Sequence, residues 1–301
     1  MNDLATIFAP DFLLRNSLYA GVVVGFACPL IGLYFVLRRM IFLGVALPQV
    51  SGAGIALAFL LHGVGVHFLP HVTEEHWMAL GGSLALTAAV IVLLVTLERR
   101  RVGTTEGRIG VTYVLASASA ILLVAANPHG EAHVLSLLKG EIVAVSDESL
   151  HLVLLGYGMV VLALAACHRE LLLVSYDREA AITLGRRVAV WDVILFGLIG
   201  LTISLGVMTV GPLVVFAFLV IPPLAALRLV RGMVHLAATA AAIGLVSSLA
   251  GFYLSYRFDL PLGPTDAVVV AAMFGGSLVV KHVVSAMRRP RARYSSIGKT
   301  R

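Results

Sequence analysis

Residues 190–227 read VWDVILFGLIGLTISLGVMTVGPLVVFAFLVIPPLAAL, with Asp192 as the one charged side chain. Lipid offers no partner to a bare backbone N–H or C=O, so an apolar stretch of this length has to be helical inside a bilayer. About 20 residues suffice for one crossing, and this stretch is nearly twice that. Gly211-Pro212 lies at its middle, where proline removes a backbone donor and stops or kinks a helix. The stretch therefore reads as two spans, 190–209 and 212–227, joined through a tight or partly buried turn almost without a loop. Two crossings in immediate succession set the class: an all-α, polytopic membrane bundle.

Working outward, seven further apolar runs fall at 13–37, 41–61, 78–97, 109–126, 149–167, 233–255 and 265–286, which makes about nine spans in all. Composition agrees: 59% of the residues are hydrophobic and 13% charged, about half the charge of a soluble domain. The cations alternate with the spans. Nineteen of the 22 Lys and Arg side chains, from Arg38-Arg39 through Arg99–Arg101 and Arg169–Arg187 to the tail, fall on one side. Arg15, Lys139 and Arg257 fall on the other. Cytoplasmic loops carry the excess of Lys and Arg, so the N-terminus lies outside and the C-terminus inside. Residues 1–287 form one transmembrane domain, and 288–301 a basic cytoplasmic tail expected to be disordered and to rest on anionic lipid. Residues 1–11 lack a cationic segment and a small-residue cleavage site, so the first run is read as a retained helix. The expected location is the cell (inner) membrane, crossed many times.

Several functions are set back by what the spans omit, a secondary transporter staying as a remote alternative. A net charge of +6 placed at one membrane face points to lipid and the positive-inside rule, not to nucleic acid. A secondary transporter needs acids or cation sites in mid-span for ion coupling, and these are essentially absent. An intramembrane enzyme needs a constellation such as HExxH or a Ser/His pair inside the spans, and none occurs, so no catalytic residue is assigned. Cys28 and Cys167 sit inside or at the end of apolar runs and do not form a disulfide framework.

Two connections carry information. The inner one, 168–188, reads HRELLLVSYDREAAITLGRRV; it predicts a short helix over 177–184, with Ser175 or Asp177 as N-cap and Gly185 as C-terminal cap. Such a helix would offer Ala180, Ala181 and Leu184 to a groove on another protein. The outer one, 127–148, holds a small apolar run at 134–138, too short to span, which is either a pore-side half-helix or a surface helix.

Four blocks, in order along about 250 residues, resemble the permease subunits of zinc and manganese ABC importers. They are Val36-Leu37-Arg38-Arg39-Met40 leading to Gly44; Lys139-Gly140-Glu141-Ile142-Val143-Ala144-Val145-Ser146; Tyr176-Asp177-Arg178-Glu179-Ala180 with Leu184-Gly185; and Val210-Gly211-Pro212-Leu213 through Ile221-Pro222, with Asp259-Leu260-Pro261-Leu262-Gly263-Pro264 after it. The resemblance implies a bundle related to the cobalamin and siderophore importer permeases, working as a homodimer with its passage on the two-fold axis. It implies that Tyr176, Asp177, Glu179, Ala180, Leu184 and Gly185 form a coupling segment docked by a cytosolic ABC ATPase. An extracytoplasmic metal-binding protein would deliver zinc, or else manganese or iron, as the transported substrate. ATP and Mg would be bound by the ATPase, with no cofactor in this chain. Gly298-Lys299-Thr300 lacks the earlier glycine that a phosphate loop requires, Arg293 standing in its place.

The chain departs from this family where metal ligands are expected. The family carries Asp and His four residues apart, a spacing that puts both on one helix face. Here Val45 and Gln49 occupy those positions. Valine cannot ligate, and a glutamine carbonyl is a weak neutral donor. A bare dication in an apolar passage faces a desolvation cost of order tens of kcal/mol. The ion then keeps its water, or other groups line the route, or the cargo is a metal chelate. Val45 and Gln49 are expected to line the pore. Asp192 and Asp266, at the starts of the sixth and ninth spans, lie close enough to an end to be hydrated, and Asp266 is a further candidate on the cation route.

Histidines offer a second set of ligands. Six of the ten lie in outer connections. His129, Glu131 and His133 place two imidazoles and a carboxylate within five residues, and His71, Glu75 and His76 have metal-capable spacing. Imidazole suits zinc better than manganese, so a mouth of this composition favours zinc.

Overall fold

A reversal at Gly211 organises the chain. The computed structural model describes residues 14–64, 75–100, 103–127 and 145–288, with side chains at all of these except 75, 99 and 283–288. Among the described residues the helices are α1 (Arg15–Leu37), α2 (Leu43–Gly63), α3 (Glu75–Arg99), α4 (Thr105–Ala125), α5 (Asp147–Tyr176), α6 (Arg178–Thr183), α7 (Val188–Leu229), α8 (Met233–Phe258) and α9 (Leu262–Arg288). Eight of them are long and apolar enough to cross a membrane; α6 is the exception.

Helix α7 has 42 residues. Straight, it would measure about 63 Å, twice a hydrocarbon core of ~30 Å. It is not straight. Gly211 adopts φ 82°, ψ 163°, a region that costs glycine little and other residues much. Pro212 follows at the first position of the next helical half, where a missing N–H loses nothing. A Cβ added to Gly206 would lie 2.6 Å from Val215 Cγ2. In a straight helix those residues stand about 13.5 Å apart, so the two halves, 188–210 and 212–229, run back against each other. One helix thus supplies two crossings, as the sequence predicts for Gly211-Pro212.

Both halves of α7 sit at the centre of the bundle, packed by α1, α2, α3, α5, α8 and α9. Gly32 of α1 lies against the backbone carbonyl of Leu219, an approach that any Cβ would block. The Tyr157 hydroxyl of α5 donates to the Thr202 carbonyl at 2.9 Å and lies 3.6 Å from Cys28 Sγ, which ties α5, α7 and α1 together inside the core. Ser51 and Ser83 join α2 to α3 at 2.6 Å, satisfying two hydroxyls that lipid could not. At the periphery the pattern inverts. Leu115, Ile121 and Leu122 of α4 and Leu155 and Leu162 of α5 are 64–75% exposed, an apolar face suited to lipid.

The helix ends sort into two groups. Asn16 Nδ2 donates to the Val145 carbonyl and to Asp147 Oδ1 at one end. At the other, Arg38, Ser175, Arg178 and Asp192 meet. This grouping matches the division of charge in the sequence. One boundary differs from the sequence expectation: α5 does not stop at 167 but runs on through Tyr176. His168-Arg169-Glu170 looks like a loop, yet Leu171 and Val174 beyond it are buried, and their contacts extend the helix.

Candidate functional site

Three places hold the residues that the sequence singles out. The first is α6. Asp177 caps it, its Oδ1 accepting from the Ala180 N–H at 2.9 Å. Gly185 ends it at φ 72°, with Gly185 N–H donating to Ile182 and Arg186 N–H to Ala181. These are the two caps the sequence predicts, although the helix itself, Arg178–Thr183, is shorter than 177–184. Ala181 is fully buried with Val174 of α5 and Val188 of α7, so it anchors α6 to the bundle and is not offered outward as the sequence reading supposed. Tyr176, Ile182 and Leu184 are 80%, 59% and 66% exposed, and Asp177 and Glu179 are exposed beside them. Ala180 is half-buried. A rigidly seated segment thus presents apolar side chains on the cation-rich side.

Salt bridges surround this segment. Asp192 Oδ1 lies 2.7 Å from Arg38 Nη1, and Asp192 Oδ2 lies 3.0 Å from Arg178 Nη2. Arg38 Nε donates to Ser175 Oγ at 3.0 Å, and its guanidinium lies 5.9 Å from the centre of the Phe196 ring. Past the other end of α6, Arg186 pairs with Glu170 of α5 at 3.2 Å. The sequence reading treats Asp192 as hydrated at a span end; instead its side chain is 16% exposed and held by two arginines. A lone acid in a 38-residue apolar stretch is a signal that it needs a cationic partner, but nothing local says which.

The second place is the start of α2. From 43 to 56 every residue is buried except Val45 and Gln49. These two lie one above the other on the helix and are half-buried. Pro48 lies inside α2, five residues past the start, buried. Having no N–H, it leaves the Gly44 carbonyl without its usual helical donor. The preceding turn is tight, with Arg39 at φ 56° and Met40 N–H donating back to Phe35 at 2.9 Å.

The third is α9. Asp266 is 1% exposed, against the expectation of a hydrated acid. It lies one turn into the helix, on the side packed against α8, where Gly251 leaves room for its carboxylate. Its Oδ1 has no hydrogen-bond partner among the described residues.

Of the outer candidates, His76 lies 3.4 Å from Ser146 Oγ, across the gap between α3 and α5. Glu75 is the first residue of α3, and its side chain is outside the described set. His71, His129, Glu131 and His133 lie outside the described residues, as does the run 134–138. Among the described residues no three metal-capable side chains come together.

Comparison with known proteins gives one family and a set of relatives. The model of the ABC 3 transport family matches residues 11–281. The "Manganese transport system membrane protein MntC" of Halalkalibacterium halodurans is 27% identical over 87% of this chain and 85% of its own. The "Probable iron transport system membrane protein" of Haemophilus influenzae is 27% identical over 87% of this chain and 86% of its own. Among solved structures, PsaBC of Streptococcus pneumoniae in complex with Fab superposes with a TM-score of 0.79, at 20% identity, over 92% of this chain and 96% of that one.

Proposed function

We propose, since the chain belongs to the ABC 3 transport family, that it is the membrane permease of an ATP-driven importer for a divalent first-row metal ion. It performs no chemistry of its own; ATP is hydrolysed by a separate cytosolic subunit. The observation that carries this reading is α6. A helix of six residues cannot be stable alone, yet here it is capped at both ends and anchored through Ala181. With Tyr176, Ile182 and Leu184 turned outward, it is a surface prepared for another protein. A cytosolic ATPase fits its place among the cations of the inner face.

The passage runs past Val45 and Gln49. They are the two side chains left open in the first turns of α2, and a second copy of the chain facing them across a two-fold axis would close a channel. Neither residue can replace the water of a dication. The ion therefore crosses with much of its hydration, Gln49 forming a polar, uncharged constriction. The relatives bearing a metal in their names favour manganese or iron. Zinc rests on the outer histidines, which, delivered to by an extracytoplasmic binding protein, would hold the ion before entry.

Two measurements test this reading. The tagged chain, extracted in mild detergent, should bring down an ABC ATPase and run as a dimer of permeases. Cells lacking the gene should lose manganese, measured beside iron and zinc by mass spectrometry. No ATPase, or metal contents all unchanged in metal-poor medium, would remove the proposal; loss of zinc alone would keep the importer and reassign its cargo.

A further inference from the structure

We propose that Asp192 is the positioning residue through which displacement of α6 reaches the turn that leads into Val45 and Gln49. The inference rests on the reading of α6 as the ATPase-docking segment. Asp192 is bidentate in function: one carboxylate oxygen holds Arg38, the last residue before the α1–α2 turn, and the other holds Arg178, the first residue of α6.

The two arms differ in kind. Arg38 is 10% exposed, with Ser175 on its Nε and Phe196 beside its guanidinium, while its Nη2 is buried without a partner among the described residues. Such a cation is held in place by its counter-charge, and removing that charge leaves it stranded. This arm is permanent. Arg178 is 61% exposed, and a pair with one partner in water is weak and easily exchanged. This arm can let go, or pull, when a protein seats on α6.

Packing holds α6 on α5 and α7 through Ala181, Val174 and Val188. The Arg178–Asp192–Arg38 chain links α6 through α7 to α1, and beyond Arg38 the backbone has little slack. Arg38 N–H is bonded to the Tyr34 carbonyl, Arg39 N–H to Val36 and Met40 N–H to Phe35, and α2 begins at Leu43. Val45 lies in the first turn of that helix. A tug on Arg38 is therefore delivered to α2 within seven residues of chain.

The test uses the whole transporter, permease with ATPase and binding protein, reconstituted in vesicles and given manganese. The readout is metal moved per ATP hydrolysed, with ATPase copurification recorded alongside. Asp192→Asn should retain the ATPase and its hydrolysis but lower that ratio about tenfold, within the range of coupling between sites. Arg178→Ala, which spares the buried Arg38–Asp192 pair, should lower it roughly threefold. The double variant should be no worse than Asp192→Asn, because both remove one link. Asp192→Glu should recover most of the ratio. An unchanged ratio in Arg178→Ala, or losses that multiply in the double variant, would overturn the proposal. Should Asp192→Asn fail to fold, Arg178→Ala alone decides. If the unaltered chain retains no ATPase, it is the docking reading that fails, and the two failures stay distinct.

Discussion

The capped helix α6 and the first turns of α2 are built on opposite chemistry. Around α6, arginines and carboxylates pair at 2.7–3.2 Å, and caps satisfy the backbone at both ends. Over the first turns of α2, 43–56, the two half-open side chains are a valine and a glutamine, and one carbonyl is robbed of its donor by Pro48. One region is charged and fixed at an aqueous boundary. The other is neutral and lies within a span. The contrast fits the proposed roles: a segment that transmits force needs specific, directional pairs, and a passage needs surfaces that do not hold the ion too well.

Substitutions can break or sharpen this contrast. The largest effect is expected from Ala181→Glu, which buries an unpaired charge where α6 meets α5 and α7, a change worth about 3–5 kcal/mol. ATPase copurification should vanish and manganese uptake fall to background, while the chain still inserts; retained copurification would show that α6 is not the docking element. Gln49→Leu comes next. Removing the polar group from an apolar constriction should cut uptake roughly thirtyfold, or about 2 kcal/mol, with the ATPase still bound. Unchanged uptake would take Gln49 out of the passage.

Restoring ligands should move the passage the other way. In Val45→Asp combined with Gln49→His, an acid and an imidazole share one face, so the concentration of zinc giving half-maximal uptake should fall about tenfold relative to manganese. An identical preference in the double variant would place these side chains off the route. The smallest effect belongs to Asp177→Ala. Loss of an N-cap costs about 1 kcal/mol, so the affinity for the ATPase should weaken about fivefold, read by titration of the purified partners. No change would mean that α6 is held by its packing alone.

The sequence already carried the bundle, the reversal at Gly211-Pro212 and the caps of α6, because each has a local cause: apolar length, a proline after a glycine, a carboxylate three residues before a free N–H. It misplaced the end of α5, where a polar His168-Arg169-Glu170 hides an apolar continuation whose partners are distant in the chain. The Arg38–Asp192 pair spans 154 residues, and no periodicity links its two members. Ala181 looked like an outward residue since alanine suits either side of a short helix, and only packing decides. Asp266 looked hydrated because its distance from the span end is short, whereas α8 packs over it, Gly251 leaving just the room its carboxylate fills.

The backbone reversal within α7 has a further consequence for biogenesis. Because the chain doubles back at one glycine, the sidedness of everything after it depends on that point. Helices α8 and α9 enter the bilayer in the orientation they have only if the translocating chain hairpins there. A continuous rod in its place would reverse α8 and α9 and put the end of α9 on the side away from Arg38 and Arg178. The parity of the whole protein is thus entrusted to the backbone freedom of one buried residue.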